Sequence, residues 1–201
     1  MGRRLDRLIV LSVATALSTA AVAGARQEAG VVPVKGQPVN ADARALADVQ
    51  ARIAAYVTLH KKLEGTISGF SKEKTPEEID KNHRALAHLL QEARRGARRG
   101  DIFTPPATIV IRRLLGTVFA GPDGASMRAS IMDENPGALK IAINGRYPDS
   151  APLTTMPPQV LEGLPKLPDE LEYRFLGERL ILMDVHSHTI VDVIDKALGL
   201  R

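Results

Sequence analysis

The run Asp184-Val185-His186-Ser187-His188 is the densest set of potential ligands in the chain. It follows an apolar stretch, 180–183, that reads as a strand. Side chains two apart in a strand share a face. His186 and His188 are therefore placed to offer two imidazoles to one divalent ion, with the Asp184 carboxylate beside them. Two imidazoles and a carboxylate suit zinc, copper or nickel. The competing reading is a polar turn that joins two strands and binds nothing. His60 and His83 form a second candidate pair. Each falls on the apolar face of an amphipathic helix. A hairpin turning near residues 65–75 sets the two at similar heights, where a shared metal ion or a proton-linked contact is conceivable. The competing reading is two boundary histidines, each with one nitrogen hydrogen-bonded and the other hydrated. His88 lies off the core face and is expected in solvent.

The third cluster is basic: Arg94-Arg95-Gly96-Ala97-Arg98-Arg99. At a helix C-terminus, cations offset the negative end of the macrodipole and bond the last carbonyls. As a surface, Arg94, Arg95, Arg98 and Arg99 would instead meet anionic lipid headgroups or an acidic polymer. The lack of interleaved aromatics argues against nucleic acid. The sequence holds no nucleophile elbow, no phosphate loop and no dinucleotide fingerprint. It therefore offers no catalytic residue and no cofactor-binding residue; a divalent metal is the one cofactor its residues suggest. With no cysteine, disulfides, thiolate catalysis and cysteine-bound zinc or iron–sulfur are excluded.

The elements that must position these residues divide into helices and then strands. Asn40 caps a helix running to about Leu63, with Leu46, Val49, Ile53, Tyr56, His60 and Leu63 on one face. Thr75-Pro76-Glu77-Glu78 has the form of a capping box with proline at the first helical position. The helix it opens carries Ile79, His83, Leu86, Leu90 and Ala93 on one face. Thr104-Pro105 opens a third helix, with Ile109, Val110, Leu114 and Val118 inward, and a fourth is expected from Ala125 to Asp133. After Asn135-Pro136-Gly137 the period changes. Leu139, Ile141 and Ile143 alternate with Lys140 and Ala142, which predicts a strand ending at Asn144-Gly145. Residues 147–168 hold six prolines and are read as loop, with a short helix over Gln159 to Gly163. Strands follow at Leu171 to Leu176, Arg179 to Val185 and Thr189 to Ile194. The fold class is α+β: a bundle of three to four helices over residues 40–135, then an antiparallel sheet of three to four strands over residues 136–201, packed as one domain or as two.

The amino terminus gives the compartment. Arg3, Arg4 and Arg7 precede an apolar run from Leu8 to Leu17, and the small residues Ala21, Ala23 and Ala25 follow. This is the pattern of a secretory signal peptide over residues 1–25, cleaved near Ala25. Export then places the protein in the periplasm or outside the cell. The alternative is an uncleaved helix that anchors the chain. Residues 26–39, broken by Gly30, Pro33, Gly36 and Pro38, read as a flexible leader. No segment beyond the leader is apolar enough to span a membrane. The charge is uneven: residues 26–120 carry 16 basic and 10 acidic side chains, and residues 121–201 carry 8 and 12. A basic half in an exported protein again points to an acidic envelope component as partner.

Several phrases resemble a family of exported bacterial proteins without an assigned function. They are Tyr56-x-x-x-His60-Lys61-Lys62, Gly100-Asp101-Ile102-Phe103-Thr104-Pro105, Ser130-Ile131-Met132-Asp133-Glu134-Asn135-Pro136, Asn144-Gly145-Arg146-Tyr147-Pro148 and Met156-Pro157-Pro158-Gln159-Val160-Leu161. The resemblance implies a shared fold and export, and no activity. Tyr173 to Ile194 is similar to the closing hairpin of RcnB-type periplasmic proteins of metal homeostasis. Asp184-x-His186-x-His188 resembles the motif that opens amidohydrolase barrels, which need a barrel of about 250 residues; here only Thr189 to Arg201 follow, without a further histidine. Two function classes remain. One is a non-enzymatic envelope protein that binds or scaffolds another component. The other is a small periplasmic metal-binding protein or metal-dependent hydrolase using Asp184, His186 and His188.

Overall fold

The computed structural model describes residues 40–72, 75–134 and 139–199. The expected export signal and leader lie outside the described residues. Within them the chain is α+β, with helices first and a three-stranded antiparallel sheet at the C-terminal end. None of the described helices is long and apolar enough to cross a membrane.

Helix α1 spans Ala41–Glu64. Asn40 caps it, its side chain accepting from the Asp42 N–H at 3.0 Å, and Lys61 and Lys62 complement the dipole at the other end. Helix α2, Pro76–Ala93, starts at the expected capping box: the Glu78 N–H donates to Thr75 Oγ1 at 3.2 Å and the Thr75 N–H to Glu78 Oε2 at 3.2 Å. Tyr56 lies beneath Arg94 and His60 approaches the earlier His83 end of α2 through His186. The two helices thus run in opposite directions, as the hairpin reading requires. Helices α3 (Pro105–Phe119), α4 (Gly124–Asp133) and α5 (Pro158–Gly163) complete the layer. Of the expected inner residues of α3, Val110 is buried and Leu114 and Val118 pack half-buried against the core; Ile109 departs. The helix buries Ala107, Val110, Ile111, Leu115 and Phe119, while Ile109 is 59% exposed. The i, i+4 row Ala107, Ile111, Leu115 and Phe119 centres the buried stripe and leaves Ile109 outside it.

Strands β1 (Leu171–Leu176), β2 (Arg179–Asp184) and β3 (Ile190–Ile194) pair in that order. One sheet face, with Tyr173, Phe175, Leu180 and Leu182, packs on α1, α2 and α3. The opposite face, with Ile181, Met183, Ile190 and Val193, is covered by Tyr147 and by Leu139, Ile141 and Ile143. Burial on both faces explains why β2 and β3 read as continuous apolar runs. The register slips between Leu182↔Asp192 and Met183↔Ile190, leaving Val191 as a bulge.

The strand expected over 139–143 is not formed. Its alternation survives as alternating burial against the outer sheet face, but the ladder with β3 begins only at Asn144. The Asn144 N–H donates to Ile190 O at 2.8 Å, the Ile190 N–H to Gly145 O at 2.8 Å and the Tyr147 N–H to His188 O at 2.7 Å. The register is fixed there because Asn144, at φ 64°, donates its side-chain amide to Gln91 O at 3.0 Å and Arg94 O at 2.9 Å. These are the last carbonyls of α2, so one residue caps the helix and aligns the chain with the sheet edge.

A buried carboxylate ties the loop before α3 to the sheet. Asp192 accepts the N–H of Gly100 at 3.0 Å, Ile102 at 2.8 Å, Phe103 at 2.7 Å and Val193 at 2.8 Å.

Candidate metal centre

Strand parity places the first functional side chain. Leu180 and Leu182 face the helices, so Asp184, two residues on, faces them too. Its carboxylate is fully buried and every bond it accepts is specific. Oδ1 takes the N–H of His186 at 3.1 Å and of Ser187 at 2.8 Å. This turns the chain, and β2 ends at Asp184. The expectation that His186 and His188 share one strand face is therefore corrected. They stand in a turn, with His188 at φ 54°, and they border different cavities. The turn is closed by Ser187, whose hydroxyl donates to Thr189 Oγ1 at 2.9 Å, and by the Asp184 N–H, which donates to Thr189 O at 2.9 Å.

Asp184 Oδ2 faces α1. It accepts from Tyr56 Oη at 2.8 Å and from His60 Nδ1 at 2.5 Å. Tyr56, His60 and Glu64 recur every four residues and lie along one helix face. His60 Nε2 is 2.7 Å from Glu64 Oε2. His186 Nδ1 lies 3.4 Å from the same oxygen and is buried without a hydrogen-bond partner among the described residues. One ligand atom each from His60, Glu64 and His186 falls within 4.8 Å of the other two. A tetrahedral zinc site with its usual bond lengths needs separations of about 3.4 Å; His186 Nδ1 and Glu64 Oε2 stand at that distance, and His60 Nε2 and Glu64 Oε2 are closer, at 2.7 Å.

The electrostatics follow from the burial. For Tyr56, burial and then the Asp184 carboxylate push the phenol far above its ordinary range, so it stays a donor. Burial opposes charge on His60, but hydrogen bonds and attraction from Asp184 and then Glu64 outweigh it and raise its pKa. Burial likewise opposes the Asp184 charge, and His60, Ser187 and Tyr56 together overcome it, holding the carboxyl below its ordinary value.

Of the residues singled out by sequence, Asp184, His60 and His186 come together, although they were assigned to two separate sites. His83 joins at the edge, its ring 5.8 Å from His186 and 5.8 Å from Phe70. His188 is further out, 6.3 Å from His83, beside Arg84 and Asp149. His88 is exposed as expected. Glu64 and Tyr56 were not recognised as site residues; the signal for Glu64 was its position four after His60 on one helix. The basic run is mostly engaged. Arg94 turns inward, with its guanidinium 5.1 Å from the Tyr56 ring centroid and a bond to Val191 O at 3.2 Å. Arg95 pairs with Glu92 and Arg99 with Asp195, while Arg98, whose backbone N–H donates to Asp101 at 3.0 Å, is exposed.

No protein-family model matches the sequence, and no curated protein or solved structure is similar to it.

Proposed function

We propose that this protein binds a divalent transition-metal ion through His60 Nε2, the Glu64 carboxylate and His186 Nδ1, with zinc the ion best suited to two imidazoles and a carboxylate. The observation that carries the reading is the convergence of these three donors behind Asp184. Histidine ligands of metals commonly donate their second ring N–H to a carboxylate, which fixes the tautomer and aims the free lone pair. Asp184 does this for His60, and the Asp184 turn delivers His186 to the same place. His186 Nδ1, buried, without a hydrogen-bond partner among the described residues and 3.4 Å from Glu64 Oε2, gains a full partner when an ion is bound. The role we assign is metal binding, without a committed reaction.

The test is a titration of metal-free protein with zinc against a chromogenic chelator. One equivalent should bind, and His60→Ala, Glu64→Gln or His186→Ala should each abolish it. If wild type takes up no ion while remaining folded, the cluster is a hydrogen-bonded charge network only. We also propose that the protein acts outside the cytoplasm, on the strength of the amino-terminal pattern. Mass spectrometry of native protein beginning at Arg26 supports this; Met1 retained in a soluble cytosolic fraction refutes it.

A further inference from the structure

The metal centre has three protein donors, not four. Structural zinc sites close with four protein ligands, whereas three leave a position for an exchangeable ligand. Among the described residues, the group around His60 contains only Glu64 and His186 besides. Glu64 and His186 also line a cavity of about 340 Å³, together with the apolar Phe70 and Ile67 and the charged Lys61 and Glu170.

We infer that the cavity holds a small oxyanion, a carboxylate or a phosphate, with one oxygen on the metal and another on Lys61. The inference rests on the metal-binding reading above. Lys61 follows His60 directly, so the helix that supplies two ligands also supplies the cation. Its side chain is 64% exposed, and its Nζ lies 2.8 Å from Glu170 Oε1. An ammonium has three donors, and Glu170 takes one. Glu170 is a fixed counterpart: its side chain is 13% exposed, and its carbonyl accepts the Val185 N–H at 3.0 Å, next to Asp184. The charge arrangement permits an anion. A divalent ion is matched by Asp184 and Glu64, and Lys61 is matched by Glu170, so no excess negative charge stands in the way. A neutral ligand would leave the Lys61 donors in water. A long apolar ligand would find only the Phe70 and Ile67 side to lie on.

Cobalt(II) provides the readout, since its visible spectrum responds to a change of coordination. Purified protein is loaded with cobalt and titrated separately with inorganic phosphate and with acetate, against chloride at equal ionic strength. A saturable spectral change with phosphate, acetate or both, absent with chloride, supports the inference and says which oxyanion is preferred. Lys61→Met should weaken that anion about tenfold, the loss of one charge-assisted hydrogen bond, while cobalt affinity stays within about twofold. If cobalt binds and neither anion alters its spectrum, or if Lys61→Met leaves the anion affinity unchanged, the inference fails and the metal site stands. If no cobalt spectrum forms at all, the metal-binding reading fails and the inference falls with it.

Discussion

The substitution Asp184→Asn separates the metal reading from a merely structural one. The wild-type carboxylate accepts four hydrogen bonds, from the N–H of His186 and Ser187 and from Tyr56 and His60. Asparagine keeps one oxygen for the two backbone donors. Its amide nitrogen then faces Tyr56 and His60 as a donor. His60 can meet that donor only by presenting Nδ1 as an acceptor, which leaves Nε2, already the donor to Glu64 in the metal-free protein, as its one protonated nitrogen. Nε2 stays bonded to Glu64, 2.7 Å away. The fold is kept, at a cost of about 1–3 kcal/mol for exchanging charge-assisted bonds for neutral ones and stranding the Tyr56 hydroxyl. The metal loses more: in wild type it can displace the Nε2 proton while Nδ1–H still donates to Asp184, whereas in Asp184→Asn freeing Nε2 sets Nδ1–H against the amide donor. Loss of such an outer carboxylate lowers metal affinity about 10–100-fold, which is about 1.4–2.7 kcal/mol. Asp184→Ala is the harsher control. It strands four donors in a buried site and should cost on the order of 3–5 kcal/mol in urea unfolding. Zinc affinity by chelator competition and urea midpoints of the metal-free proteins give both quantities. Asp184→Asn binding zinc as tightly as wild type, while His60→Ala does not bind, would falsify the tautomer argument.

Three further outcomes follow from the same structure. His188→Ala and His88→Ala should leave zinc affinity within about twofold, since neither side chain reaches the three donors; a tenfold loss in His188→Ala would move the site to the 186–188 pair. Metal-free stability should plateau at intermediate pH. Asp184, depressed below its ordinary 3.8, stabilises fully above that value and ceases to as pH falls through the folded one, while His60, raised above 6.5, stabilises fully below 6.5 and ceases to as pH rises through its own folded value. Urea midpoints measured across pH should thus fall at both ends, and a profile flat on the acid side would contradict the Asp184 assignment. Asp192→Ala should destabilise by on the order of 3–5 kcal/mol, because four backbone N–H groups lose their acceptor; calorimetry showing a loss under about 1 kcal/mol would mean the 100–103 loop re-satisfies itself with water.

Most of the elements were legible because local chemistry announced them. Thr75-Pro76-Glu77-Glu78 contains its own capping partners, and α2 starts there. Gly177-Glu178 sits between two apolar runs, and the β1–β2 hairpin turns on it. The 139–143 stretch misled because alternation reports only which side is buried. Here it reflects packing on the outer sheet face, and the backbone bonds that make a strand were granted instead to 144–147 by a helix cap distant in sequence. Ile109 lies outside the inner face of α3 for a related reason: several apolar stripes are available, and the sheet below, through Phe175 against Phe119, selects among them.

The site was legible residue by residue but not as a site. Histidine type and helix face flagged His60, and the acidic, histidine-rich turn flagged Asp184 and His186, yet 124 positions separate the bonded pair. Joining them needs three facts that no local pattern carries: that the sheet packs on α1, that Leu180 and Leu182 point into that interface, and that Asp184 keeps their parity before turning the chain. Given those, the rest is forced. A carboxylate driven into a helix–sheet interface must find donors, and the nearest face of α1 offers Tyr56 and His60. The Asx turn that satisfies its other oxygen fixes where His186 goes. Glu64 then lies between the two imidazoles because four residues of helix return it to the face of His60. The same reasoning explains why His188 is left out: two residues further along a strand it would have shared the face, but the turn that brings His186 inward carries His188 past it.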